Sequence, residues 1–119
     1  MVEPEEFLDF ADRLRGSNDE IDFRNIMSRS YYAAFLLAKD KSTKINTDVD
    51  VTNAGSHEKT IFQFSKSTVP DLIQIGNYLN RLKKGRIKSD YQIDKTVTKI
   101  DSETHFSMAE IAIDELNKI

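Results

Sequence analysis

"RNIMSRSYYAAFLLAKD", Arg24 to Asp40, carries the strongest pattern in this chain. Apolar and small residues recur there at steps of three and four: Phe23 just ahead, then Ile26, Met27, Ser30, Tyr31, Ala34, Phe35 and Ala38. That period belongs to a helix with one face turned inward. The spacing predicts a helix from about Glu20 to about Lys39. Ala33 and Ala34 are small enough to let another helix, or another copy of the chain, approach closely. Tyr31 and Tyr32 point about 100° apart. Tyr31 is expected in the core and Tyr32 at the rim with its hydroxyl wet.

Outward from this segment the chain reads as further helices. Phe7, Phe10, Ala11 and Leu14 mark a first helix over Glu5 to Arg15, which Gly16 ends. "SHEKTIFQFSKS" predicts a third helix, with Ser56 as its N-cap and with Ile61, Phe62 and Ser65 inward. "TVPDLIQIGNYLNRLKK" predicts a fourth. Pro70 sits in its first turn, Leu72, Ile75, Leu79 and Leu82 form its stripe, and Gly76 allows close packing. "GRIKSDYQIDKTVTKIDSE" is read as the link to a last helix. Asp101 or Ser102 caps that helix, and Phe106, Ala109, Ala112, Ile113 and Leu116 line it. Lys41 to Ser56 is polar and is read as a long loop. The alternation of Ile45, Thr47, Val49 and Val51 admits a short strand there. The expected fold is all-α, a four- to five-helix up-and-down bundle formed by one domain over residues 1–119.

Composition excludes several functions. The chain has 119 residues and no cysteine, which removes disulfide and thiolate chemistry. No HExxH, paired His or Gly-rich phosphate loop is present, so no metal or other cofactor is expected. No apolar run approaches the ~20 residues needed to span a bilayer. The acidic start "MVEPEEFLDF" lacks the layout of a signal peptide, so a cytoplasmic protein is the expectation. Net charge is -3, so the chain as a whole is no polycation. The basic residues are nevertheless concentrated: "RLKKGRIK", Arg81 to Lys88, holds five and no acid. Cations at the end of a helix answer its free carbonyls, which accounts for Arg81, Lys83 and Lys84. Arg86 is accounted for less well, although Asp90 four residues on makes a helical ion pair available. Both histidines, His57 and His105, read first as polar residues at helix starts.

Three stretches in order, "SRSYYAAF", "SHEKTIFQF" and "LKKGRIKSDY", resemble the HEPN superfamily of small helical bundles. The resemblance covers roughly residues 5 to 118. It implies a homodimer, a toxin–antitoxin or phage-defence setting, and a partner such as a nucleotidyltransferase-type antitoxin. It also implies binding of RNA or a nucleotide. Active members are metal-independent ribonucleases carrying Arg, four to six residues, then His. A histidine moves the proton of the 2′-hydroxyl, and an arginine fork covers the phosphate. Here Arg86 matches the arginine, but Asp90 and Tyr91 stand at the histidine spacing. A phenol is a poor base near neutrality.

The expected function is therefore binding of RNA, a nucleotide or a protein partner without efficient RNA cleavage. Arg29, Lys84 and Arg86 would contact phosphate, and Tyr31 and Tyr91 would support the groove. The alternatives are a ribonuclease toxin using Asp90, Tyr91 or His57 as a non-standard base, and a purely structural dimerisation module. The first reading requires Arg86 and the aromatic block of the second helix to meet in space.

Overall fold

A computed structural model describes residues 1–45 and 55–119 of the chain. Its centre is α2, Glu20–Lys41, which packs against α1 (Pro4–Leu14), α4 (Pro70–Tyr91) and α5 (Lys99–Leu116). The remaining helix, α3 (Ser56–Ser65), lies mainly on α4. A short 3₁₀ turn, Ser42–Lys44, follows α2. The described residues form five α-helices and no strand. The proposed alternation Thr47–Val49–Val51 lies outside the described residues.

The core joins α2 to α3, α4 and α5 through Tyr31, Phe35, Phe64, Leu79, Leu82, Ala109 and Leu116. Ala33, Ala34 and Gly76 sit inside this bundle. The small residues expected to serve a dimer face are thus spent on internal packing. A Cβ at Gly76 would run into the backbone of Ser65, so α3 and α4 touch where the side chain is missing.

Several sequence expectations are corrected. The buried face of α1 is turned toward Leu8, and Phe10 is 44% exposed. Gly55 caps α3, so Ser56 is its first residue, and Phe64 is fully buried where Ser65 was expected. α5 starts earlier than expected, capped by Thr98. The Thr98 hydroxyl accepts from the Asp101 amide (3.1 Å), and the Asp101 carboxylate accepts from the Thr98 amide (3.0 Å). This reciprocal box satisfies two of the donors that a helix start leaves open.

The largest correction concerns α4, which runs on through Gly85 to Tyr91. Gly85 is a packing residue here. The ring of His105 on α5 occupies the space that a side chain would fill. His105 is half-buried, with Nδ1 2.9 Å from the Asp101 carbonyl. The carbonyls at the end of α4 are satisfied by Arg24 of α2. Its Nη1 donates to Lys88 (3.2 Å), Ser89 (3.0 Å) and Gln92 (3.3 Å). Its Nη2 donates to Gln92 (3.3 Å) and to Lys95. Arg24 is only 8% exposed. Of the basic cluster only Lys88 falls in the last turn of α4; Arg81, Lys83, Lys84 and Arg86 lie before it.

Candidate functional site

The end of α4 matters because it carries Lys83, Arg86 and Asp90 at i, i+3 and i+7, one stripe of the helix. On α2, Ser28, Tyr31, Tyr32 and Phe35 form the matching stripe. The two stripes meet. Arg86 Nη2 donates to the Tyr32 hydroxyl at 2.7 Å and to the Tyr91 hydroxyl at 3.3 Å. Its guanidinium carbon lies 5.3 Å from the Tyr32 ring centre and 5.1 Å from that of Tyr91. Both distances suit cation–π attraction. Nε stands 3.0 Å from Asp90 Oδ2, so the helical ion pair forms. The same Asp90 oxygen accepts from the Ser28 hydroxyl at 3.2 Å. Nη1 of Arg86 has no hydrogen-bond partner among the described residues.

His57, at the start of α3, lies flat on Phe35, with centroids 4.0 Å apart and planes 2° from parallel. Its ring also meets the edge of Tyr32 at 6.3 Å. Nδ1 is 2.5 Å from the hydroxyl of Tyr31, which is fully buried. Burial holds the imidazole below its ordinary pKa, and the positive charges of Arg86, Lys83 and Lys39 push it further down. At neutral pH His57 is uncharged. Burial raises the Tyr31 phenol, against a smaller opposing effect of Arg86. Tyr31 therefore keeps its proton; a hydroxyl that donates to Nδ1 goes with the ring hydrogen on Nε2, and one that accepts goes with the hydrogen on Nδ1.

The residues named from sequence separate into two groups. Arg86, Asp90, Tyr91 and, through Tyr31, His57 come together. Arg29 reaches the edge of the cluster: its guanidinium stands 5.3 Å from the Tyr32 ring centre, and it has no ion-pair partner among the described residues. Lys84 is exposed and lies about 200° around the helix from Arg86, on another side. Lys83 takes the position on the shared stripe and pairs with Glu58 at 3.7 Å. Tyr32, Ser28 and Lys83 are the contributors that sequence reasoning left out. Their spacing was visible, since 28, 31, 32 and 35 form one helical stripe, but which helix would face it was not.

The cluster can hold an anion. It offers one fixed guanidinium with an unused donor edge, two tyrosine hydroxyls and a neutral imidazole. Its exposed ring, Tyr91, is 66% accessible. No three of His, Asp and Glu side chains are placed to hold a metal ion among the described residues. Among these residues no helix is long and apolar enough to cross a membrane. Compared with protein-family models, with curated proteins and with solved structures, the chain finds no match.

Proposed function

We propose that this chain is a HEPN-like helical domain that binds a phosphate group of RNA or of a nucleotide on Arg86 and does not cleave RNA efficiently. One observation carries the reading. Arg86 is held over two tyrosine rings with Nη1 unpartnered among the described residues, on the same border as a neutral imidazole. A planar guanidinium fixed in this way suits the paired oxygens of a phosphate. Asp90 occupies part of the arginine and acts as an internal competitor, so an incoming phosphate shares or displaces it. In the setting the resemblance implies, the protein partner is an antitoxin of nucleotidyltransferase type.

The proton inventory favours binding over cleavage. A general base for the 2′-hydroxyl needs a free lone pair. In the tautomer in which the Tyr31 hydroxyl donates to Nδ1, His57 presents a hydrogen on Nε2 and has no lone pair for a substrate. A ribonuclease reading gains support from one fact, the closeness of His57 to the positive charge of Arg86. It requires Tyr31 to turn its hydroxyl and accept from Nδ1 instead. Purified chain incubated with RNA in the presence of a chelator separates the two. The binding reading expects intact RNA and a complex that weakens as salt rises. Chelator-resistant cleavage that disappears in both Arg86→Ala and His57→Asn would establish the ribonuclease and end the binding reading.

A further inference from the structure

Helix α4 turns Arg86 toward α2 and carries Arg81, Lys84 and Lys88 on its opposite side. On that side α4 and α5 run antiparallel. Lys88 meets Asp101 at 4.0 Å, the ring of His105 lies against Gly85, and Arg81 shares an open groove with Thr104, Ser107, Met108 and Ile111. Along the outside of α5 stand Ile100, Thr104, Ser107 and Ile111, all exposed. Their steps of four, three and four are those of a coiled-coil seam. Ile100 is 78% accessible and Ile111 45%. The core takes the other face of the helix, through Phe106, Ala109, Ile113 and Leu116. The outer seam therefore has no use within the bundle.

Charges of opposite sign border this seam. On the α4 side run Arg81, Lys84 and Lys88, at i, i+3 and i+7. On the other side run Glu103, Glu110 and Asp114, at i, i+7 and i+11. Glu103 pairs with Arg15, and Lys88 stands near Asp101. Arg81, Lys84, Glu110 and Asp114 are exposed and form no ion pair among the described residues. Each border thus keeps unanswered charge. An anionic lipid surface or a nucleic-acid backbone would suit the cations and be repelled by the carboxylates. A partner that fits must present both signs on either side of an apolar strip, which is the surface of an amphipathic helix. Thr104 and Ser107 keep the middle of the seam low, so a helix can approach closely, and Ile100 and Ile111 flank it as apolar contacts. From Ile100 to Ile111 the seam runs about 16 Å, or roughly three turns.

We infer that the α4–α5 face is a docking groove for an amphipathic helix of a different protein. That helix lays its apolar strip on Ile100, Thr104, Ser107 and Ile111. It sets an edge of acids against Arg81 and Lys84 and an edge of bases against Glu110 and Asp114. The face shares no residue with the Arg86 cluster, so it can be occupied while phosphate is bound.

The experiment titrates the full chain against three labelled synthetic helices and follows their fluorescence anisotropy. The peptides share a leucine seam and differ in their edges: glutamate on one and lysine on the other, lysine on both, or glutamate on both. The mixed peptide is expected to bind at least tenfold more tightly than either of the others. Ser107→Arg, at an exposed position, is expected to keep the native melting temperature and to abolish binding of the mixed peptide. The double change Arg81→Glu with Lys84→Glu makes both borders acidic and is expected to transfer the preference to the peptide with lysine on both edges. Arg86→Met is expected to leave peptide binding unchanged. Equal affinity for the three peptides, no binding of any, or a preference that survives Ser107→Arg overturns the proposal. So does loss of peptide binding in Arg86→Met, or a native dimer that Ser107→Arg disrupts, which would give the face to a second copy of the chain.

Discussion

Arg24 and Arg86 both serve the last turns of α4, and they do so in opposite ways. Arg24 comes from α2, is almost fully buried, and distributes its two terminal nitrogens among four backbone carbonyls. Its Nε also lies 3.7 Å from Glu20, whose carboxylate accepts from the Val97 amide at 3.0 Å. Every donor edge is engaged by groups that belong to the fold. Arg86 belongs to α4 itself. It is half-buried, held by two phenols and one carboxylate, and keeps Nη1 unused among the described residues. The difference shows how the same side chain becomes a brace or a binding group. Burial with saturated donors makes it structural, since any ligand would have to break the fold to reach it. Partial burial with aromatic companions orients it and leaves an edge facing outward.

The strongest test of this contrast is removal of the brace. Arg24→Met leaves four terminal carbonyls without their charged donor and is expected to cost about 3 kcal/mol, read as a lowered urea midpoint. A variant as stable as the native chain would show that water replaces Arg24 at no cost. Arg86→Met is expected to cost less than ~1 kcal/mol, because its partners are near the surface. Its effect should appear in RNA binding, with the salt slope reduced by about one phosphate contact. If Arg86→Met unfolds the chain, the two arginines are not different in kind.

Tyr31→Phe tests the hydrogen bond to His57 at the side of the Arg86 cluster. Losing the hydroxyl leaves His57 Nδ1 without its hydrogen-bond partner and is expected to cost about 1 kcal/mol in thermal stability. It also frees the imidazole to choose its tautomer, so any gain of RNA cleavage in this variant would reveal the role of Tyr31 in silencing His57. Asp90→Asn removes the competing charge while keeping an acceptor for Ser28. Phosphate or RNA binding is expected to tighten by roughly fivefold at low salt.

The smallest expected effect is on pH dependence. The folded state holds His57 below the ordinary value of 6.5, and the unfolded chain does not. Below about 6.5 the unfolded state takes up a proton that the native state refuses. Stability is therefore lost as pH falls through this window and is unaffected above it. His57→Asn should flatten that part of the profile, as followed by melting temperature between pH 7 and pH 5.

The helices show how far pattern reading reaches. α2 was legible because Ile26, Met27, Tyr31, Ala34, Phe35 and Ala38 keep one period over more than three turns, and a period of this length has one solution. The end of α4 was not legible. Gly85 reads locally as a stop, and only the His105 ring pressed against it explains why glycine stands inside a helix. Arg24 gave no local signal either, because its acceptors lie 64 to 71 residues away. His57 read as a wet helix start, since nothing in "GSHEK" announces that Phe35 will lie beneath its ring.

Composition and periodicity alone determined that the described residues are helical, where the middle of each helix lies, and that Tyr31 is inside while Tyr32 is at the rim. Those properties depend on each residue's own hydrophobicity and on neighbours three or four positions away. The tertiary structure decided that Arg86, Tyr32, Tyr91 and His57 share one border, that Lys83 and not Lys84 accompanies them, and that Phe10 is left outside. These outcomes depend on which faces of separate helices meet. That choice is made by packing across the whole bundle, and no segment of the sequence encodes it by itself.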